Sequence, residues 1–525
     1  MRKIQLALVA GLLCLPAACQ DYLDVNTNPN APQSVAPNLY LSPMLHWMAT
    51  APQFDGRYVG HYTQEWYSTS ATLPATTWGK MGYDAASDNG AEQWRDVYWS
   101  FGQNLIDMMT KAEAEQRWDL LGIGYVLKAW GWQVLTDLHG EIIIKEAIDP
   151  TRFTFDYDDQ PYAYQETKRL LLLAITNLQR TDGNVDPLYV GRTDKLYNGD
   201  RTKWLKLAYG LLALHMNHYS NKAAYRPDSV MILVDKSFAS NVDDALLQYP
   251  ATSTDLADYN FIARSRNNIT LYRQTQFAVG LMNGTQFGGV VDPRMSRMLD
   301  SSADGQYRGL DVNVVAFGAL TSAQQPFNLF GYSGSGGLGL VGRYLFDDKS
   351  KMPIMTYSQL QFIKAEAALR SGQPKVALAA YRNGISSHID FVNARYAELG
   401  QASTQISALE KANFLGNAAV VPLAPALTLS HIMSQKYIAQ WGWGHNELWM
   451  DMRRFHYTDL DPVSGVEVFR GFTPPTTLFV DNGGKVVQRI RPRYNSEYVW
   501  NVPALKAIGG LDADYHTKPL WITQP

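Results

Sequence analysis

The stretch AEAALRSGQPKVALAAYRNG, residues 365–384, decides how the rest of the chain is read. Ala365, Gly372, Ala377, Tyr381 and Gly384 stand at the offsets of a tetratricopeptide unit, a pair of helices joined by a short turn. Small residues at these positions let the two helices approach, and the tyrosine fills the next gap. A second fragment, WDLLGIGY (Trp118 to Tyr125), fits the opening W-x₂-L-G-x₂-Y of the same unit. Two such matches inside long periodic segments favour a mainly α fold, a tetratricopeptide-like helix-pair scaffold carrying long irregular loop insertions.

Helical periodicity extends outward from these fragments. It covers 39–51, 93–115, 120–136, 163–178, 202–222 and 228–239, and then 357–371, 375–389 and 429–454. Between the periodic segments lie stretches with turn chemistry and no sustained period, at 55–90, 248–352 and 456–525. Loops of that length in a compact chain tend to carry function. The expected organisation is a body over 38–525, with its helical scaffold at about 38–247 and 353–455 and those three insertions.

The first residues read differently. MRKIQLALVAGLLCLPAAC has a basic end, an apolar run and small residues, the three parts of a secretory signal over residues 1–18. The run is shorter than the roughly 20 apolar residues that span a bilayer. Of the two cysteines, Cys14 falls inside the signal and Cys19 follows it, so the exported chain has no partner for a disulfide. Lipidation of Cys19 as the new N-terminus explains a lone exported thiol; an ordinary signal with an incidental cysteine is the alternative. Acyl chains contribute about 0.8 kcal/mol per buried CH₂ and would anchor the protein through a polar tether at 19–37.

Composition narrows the function classes. A net charge of −3 with both signs interspersed lacks the concentrated basic face that nucleic acid requires. Trp and Tyr, 14 and 30 in number, together outnumber the 19 Phe, and rings with a polar handle suit half-wet binding surfaces as well as cores. Catalytic signatures are poor. His445 and Glu447 do not form H-E-x-x-H, no G-x-S-x-G elbow occurs, and DYDDQ (156–160) lacks the glycine and terminal glutamate of a calcium loop. No catalytic residue, metal ligand or cofactor is assigned, although two glycosidase carboxylates could hide among the 49 acids.

Exposed aromatic rings beside polar groups make flat contact platforms for a ligand. EWYSTSATLPATTWGKMGYDAASDN (65–89) supplies Trp66, Tyr67, Trp78 and Tyr83 among Ser, Thr, Asp and Asn. Trp78 has no apolar period around it and is the leading ligand-binding residue, with packing of its loop against a helix as the alternative. For Trp66 and Tyr67 a core role is the stronger alternative. PFNLFGYSGSGGLGLVGRYLF (326–346) formally contains G-x-G-x-x-G, but without a helix to follow it reads first as a plain surface turn, with a loop presenting Phe330 and Tyr332 to a ligand or partner as the alternative. Trp441, Trp443 and Trp449 lie on an amphipathic helix and read as core. Arg453 and Arg454 at its end suit the negative helix pole, a buried carboxylate or a ligand.

Several segments together resemble a known family. CQDYLDVNTNPN (19–30), YVLKAWGWQVLTDLHGEIIIKEA (125–147), GDRTKWLKLAYGLLALHMNHYS (199–220), VDPRMSRML (291–299), IMSQKYIAQWGWGHNELWMDMRRF (432–455) and RIRPRYNSEYVWN (489–501) are similar, in order, to elements of the SusD/RagB nutrient-binding lipoproteins of Bacteroidetes outer membranes. His139-Gly140-Glu141, where the family has Phe-Gly-Asp, marks a divergent branch. The resemblance implies a non-catalytic lipoprotein of the outer membrane, facing the cell exterior. It would act as a hinged lid on a SusC-like, TonB-dependent β-barrel transporter. Its ligand would be a glycan, most simply an oligosaccharide, or a peptide as in a RagB-like importer; a purely structural gate and a surface hydrolase are the remaining readings.

Overall fold

The computed structural model describes residues 35–69, 77–252, 254–313, 317–331 and 343–525. Cys19 and Tyr332 lie outside the described residues. The long helices are α1 (Leu41–Tyr62), α2 (Gly102–Ala114), α3 (Trp118–His139), α4 (Gln160–Gln179), α5 (Arg201–His218), α6 (Pro227–Lys236), α7 (Tyr357–Arg370), α8 (Pro374–Glu398), α9 (Leu429–Gln440) and α10 (His445–Arg454). Strands are few and short. β1 (Trp66–Ser68) pairs antiparallel with β3 (Tyr272–Gln274), and β2 (Ala245–Gln248) with β4 (Lys351–Met355). The mainly α, helix-pair architecture read from residues 365–384 is the fold of the chain.

Helix pairing follows the small residues. α7 stops at Gly372, which takes φ +73°, and the chain turns directly into α8. A Cβ on Gly384 would stand 2.8 Å from the Phe362 ring, so only glycine lets α7 and α8 meet at this depth. Gly122 does the same for α3 against α4, where a Cβ would come within 2.6 Å of Leu178. Among the described residues, no helix is long and apolar enough to cross a membrane.

Several helix boundaries differ from expectation, among them that of α8, which runs on to Glu398 instead of ending near residue 389. α1 runs on to Tyr62 instead of ending near residue 51, although it contains Pro52. Gly56 and Gly60, which look like breaks, are contact points: their missing Cβ atoms make room for the rings of His445 and Trp66. The expected helix 429–454 is two helices, parted at Gly442 with φ +87°. The expected helix 93–115 begins as a short α-turn (Glu92–Arg95), widens into a π-turn (Asp96–Phe101) and continues as α2.

Buried charge ties the scaffold together. Arg454 of α10 reaches both oxygens of Glu366 on α7, at 2.9 and 3.0 Å, and Asp451 at 2.6 Å. Lys436 of α9 holds the other Asp451 oxygen at 2.7 Å, and Asn217 of α5 donates to Glu366 at 2.9 Å. Burial opposes ionisation of Glu366, but Arg454 and Arg370 overcome it and hold its carboxyl below the usual range. Arg453 instead donates to the carbonyls of Asp137 (2.7 Å) and Gln488 (2.9 Å) over the Trp449 ring. The paired arginines are thus structural.

Removing one partner strands the rest in a dry interior. Glu366→Gln is expected to cost about 3–5 kcal/mol in denaturant unfolding. Because Glu366 titrates below its usual value, the native protein should lose this contribution as pH falls below about 4.5 while Glu366→Gln does not.

Candidate functional site

A cavity of about 510 Å³ opens where the 92–101 segment, the chain following α3 and the C-terminal segment 493–497 converge. Each wall is fixed by a tertiary clasp. The Asp55 carboxylate on α1 accepts the backbone N–H groups of Glu92 and Gln93, both at 2.9 Å, capping the short turn from another helix. Burial nevertheless lifts the pKa of Asp55 to about 7. The Asp158 carboxylate accepts the N–H groups of Ile144 (3.0 Å) and Lys145 (2.9 Å) and pairs with the Lys145 ammonium at 2.6 Å. Asn501 exchanges two hydrogen bonds with the Phe155 backbone, at 3.0 and 2.9 Å.

The π-turn decides what faces solvent. Trp94 packs on Tyr98 (centroids 5.0 Å apart) and edge-on against His139 (4.9 Å). Tyr98 is locked: its hydroxyl donates to the Ile143 carbonyl at 2.8 Å and accepts from the Ile143 N–H at 2.9 Å. Trp99 is 72 % exposed, an indole at the cavity with the Arg95 guanidinium 5.3 Å from its centroid. A large exposed ring on such a turn has the form of a binding platform.

Apolar and polar groups complete the lining. Ile143, Ala147, Ile148 and Phe155 form an aliphatic and aromatic wall. Ile148 sits at φ +64°, where a β-branched residue is strained, and such outliers cluster at ligand sites. Arg95 and Arg493 each face carboxylates, Arg95 pairing with Glu92 at 2.7 Å and Arg493 with Asp88 at 2.6 Å. Glu497 accepts from Tyr157 (2.6 Å) and Asn501 (2.9 Å).

The residues singled out in the sequence fall elsewhere. Trp78 is 1 % exposed and its ring lies between Tyr58 (4.9 Å) and Tyr62 (5.4 Å). Tyr83 is half-buried, with the Arg491 guanidinium 4.1 Å above its ring. These two do come together, lining a second cavity of about 200 Å³ beside Arg491, Tyr494 and Tyr498. Trp66 and Tyr67 belong to β1 and are buried: Trp66 packs on His445 at 4.8 Å and Tyr67 on His61 at 5.9 Å. Neither ring offers a ligand a free face, because strand pairing draws both into the core. Phe330, which the alternative reading places on a presenting loop, is buried as well.

The sequence reading missed Trp94, Tyr98, Trp99 and the C-terminal wall. One signal was present in WRDVYWSF (94–101): Trp94, Tyr98 and Phe101 share a helical face, and Trp99 cannot join it.

Among the described residues, Asp137, His218 and Glu447 bring ligand-type atoms within 4.8 Å of one another. The two ring nitrogens of His218 face different carboxylates, however, Nε2 at 3.1 Å from Glu447 and Nδ1 at 3.4 Å from Asp137. That geometry clamps the imidazole ring between two helices rather than converging on one ion. Burial opposes its charge, but Glu447 and Asp137 outweigh burial and raise its pKa.

Asp96 gives the site a measurable pH signature. It is buried, Ser100 hydrogen-bonds one oxygen, and the other has no partner. Burial raises its pKa to about 7, so the folded state binds this proton more tightly than the unfolded chain. Asp96 therefore costs stability increasingly as pH rises from about 4 to 7. Asp96→Asn is expected to raise stability by about 1–3 kcal/mol at pH 8 and to change little at pH 4, read from melting curves.

Comparison with known proteins gives concordant results. The family model described as "Starch-binding associating with outer membrane" matches residues 29–473. A solved SusD/RagB family protein from Bacteroides thetaiotaomicron is 21% identical, with a TM-score of 0.65 over 93% of this chain and 99% of that one. A SusD homologue from Bacteroides fragilis is 17% identical, with a TM-score of 0.71 over 94% and 100%. A chitin-binding SusD homologue from Flavobacterium johnsoniae is 19% identical, with a TM-score of 0.66 over 93% and 98%. No match was found among curated proteins. With the helix-pair fold and a family match over most of its length, the chain belongs to the SusD-like family, whose members associate with the outer membrane.

Proposed function

We propose that the protein captures an oligosaccharide at the outer membrane, without catalysing its cleavage, and hands it as a hinged lid to a SusC-like, TonB-dependent β-barrel. Lipidated Cys19 would hold it there, facing the cell exterior. The observation that carries the binding reading is Trp99, a largely exposed indole lining the 510 Å³ cavity and flanked by a guanidinium. A sugar ring packs its C–H face on such an indole while its hydroxyls meet Arg95, Arg493 and Glu497. The description of the matched family as starch-binding and the name of the chitin-binding neighbour support a glycan.

The second cavity extends the same reading. Its lining residues Tyr494 and Tyr498 are stacked at 5.7 Å, and they belong to the segment that also supplies Arg493 and Glu497 to the first cavity. Half-buried Tyr83 would there contact a neighbouring unit of the same glycan chain, with buried Trp78 backing the cavity from behind.

Calorimetry of the purified protein against a panel of oligosaccharides and peptides tests the ligand class. Trp99→Ala is expected to weaken glycan binding by about 1 kcal/mol, roughly fivefold, with unchanged stability. Retention of full affinity by this variant, or binding of peptides alone, would overturn the assignment. Cys19→Ser should shift the protein from the membrane fraction to the soluble fraction of fractionated cells, with loss of the acyl mass from its N-terminal peptide.

A further inference from the structure

We infer that the Trp99 cavity recognises a sugar bearing an acyl substituent, an N-acetyl or O-acetyl group whose methyl packs on the Ile143–Ile148 wall. This rests on the glycan reading above and names the class of glycan.

The polar groups beside the aliphatic wall are spent on the protein, whereas those without a partner, Ser496 Oγ and the Nε groups of Arg95 and Arg493, belong to the 92–101 and 493–497 segments. Tyr98 and the Ile143 backbone satisfy one another in both directions, so neither is left for a hydroxyl. Glu497 already receives Tyr157 and Asn501 on one oxygen. An unsubstituted sugar, with a hydroxyl on almost every carbon, would turn hydroxyls towards Ile143, Ala147, Ile148 and Phe155 and leave them unpaired. A methyl in the same place gains from the wall, about fourfold in affinity for one buried methyl-sized group.

The charges favour a neutral substituent over an acidic one. Arg95 faces Glu92 and Asp96, and Arg493 faces Asp88, so each guanidinium is already matched by carboxylate. What remains are N–H donors without a demand for a further negative charge. An acyl carbonyl oxygen accepts from such a donor, and a uronate or sulfate would add a charge beside Glu92, Asp88 and Glu497.

The wall is also held in place before a ligand arrives. Asp158 fixes its start through Ile144 and Lys145, Asn501 fixes its end through Phe155, and Ile148 between them keeps φ +64°. A strained aliphatic residue, maintained between two clasps at a cavity, preorganises an apolar contact and lowers the ordering cost of binding.

The test uses matched ligand pairs on the full mature protein. Chitohexaose and cellohexaose share a β-1,4 backbone and differ in the acetamido group; acetylated xylo-oligosaccharides before and after alkaline deacetylation isolate the O-acetyl group. Calorimetry is expected to give at least tenfold tighter binding for the acylated member of one pair, and the pair that responds identifies the linkage. Ile148→Asn should reduce that preference to less than threefold, with Ala147→Ser as a milder variant should the first fail to fold, while Trp99→Ala weakens both members alike. Equal affinities within both pairs, still sensitive to Trp99→Ala, would overturn the acyl inference and leave glycan capture standing. A preference untouched by both wall variants would also overturn it. Absence of binding to every ligand would remove both readings.

Discussion

The buried Arg454–Glu366 contact is the constraint on which the arrangement of helices depends. A guanidinium and a carboxylate in a dry interior cannot be left alone, so α7 and α10 must meet at this register. Asp451, Lys436 and Asn217 extend the demand to α9 and α5. Hydrophobic packing would tolerate small slips between these helices, whereas a bidentate pair does not. His218, clamped between Asp137 of α3 and Glu447 of α10, repeats the device and joins the first helix pair to the last.

The candidate site is built on that frame by residues far apart in the chain. Asp55 positions the 92–95 turn, Asp158 the chain after α3, and Asn501 its far end. In each case one polar side chain satisfies backbone groups that a loop would otherwise leave to water. The walls of the cavity are therefore rigid although they carry little regular secondary structure. The π-turn at 96–101 provides the remaining piece, since it places Trp99 in solvent while Trp94 stays in the core and Tyr98 packs half-buried against it.

At the candidate site Glu92, Asp88 and Glu497 face guanidiniums or hydroxyl and amide donors, Asp96 keeps one oxygen without a partner, and the lining offers an indole face and an aliphatic wall. In the glycan reading proposed above, the indole face and the wall would supply contact area and the unspent donors would supply orientation.

The sequence by itself determined the helix pairs, because the small residues at 365–384 and 118–125 act locally through the distance at which two helices can pack. It also carried the resemblance that the family match bears out. Gly56, Gly60 and Gly442 show where local reading stops: the first two are contact points and the third a break, and only the neighbouring rings and φ distinguish them. Trp78 and Trp66 sit among polar residues in the chain, yet Tyr58, Tyr62 and His445 cover them, since burial depends on what other elements bring to a ring. Only the tertiary structure decided that Trp99, rather than these, meets solvent, because that choice depends on a π-turn and on clasps from Asp55, Asp158 and Asn501. Those contacts span tens to hundreds of residues, and no local pattern encodes them.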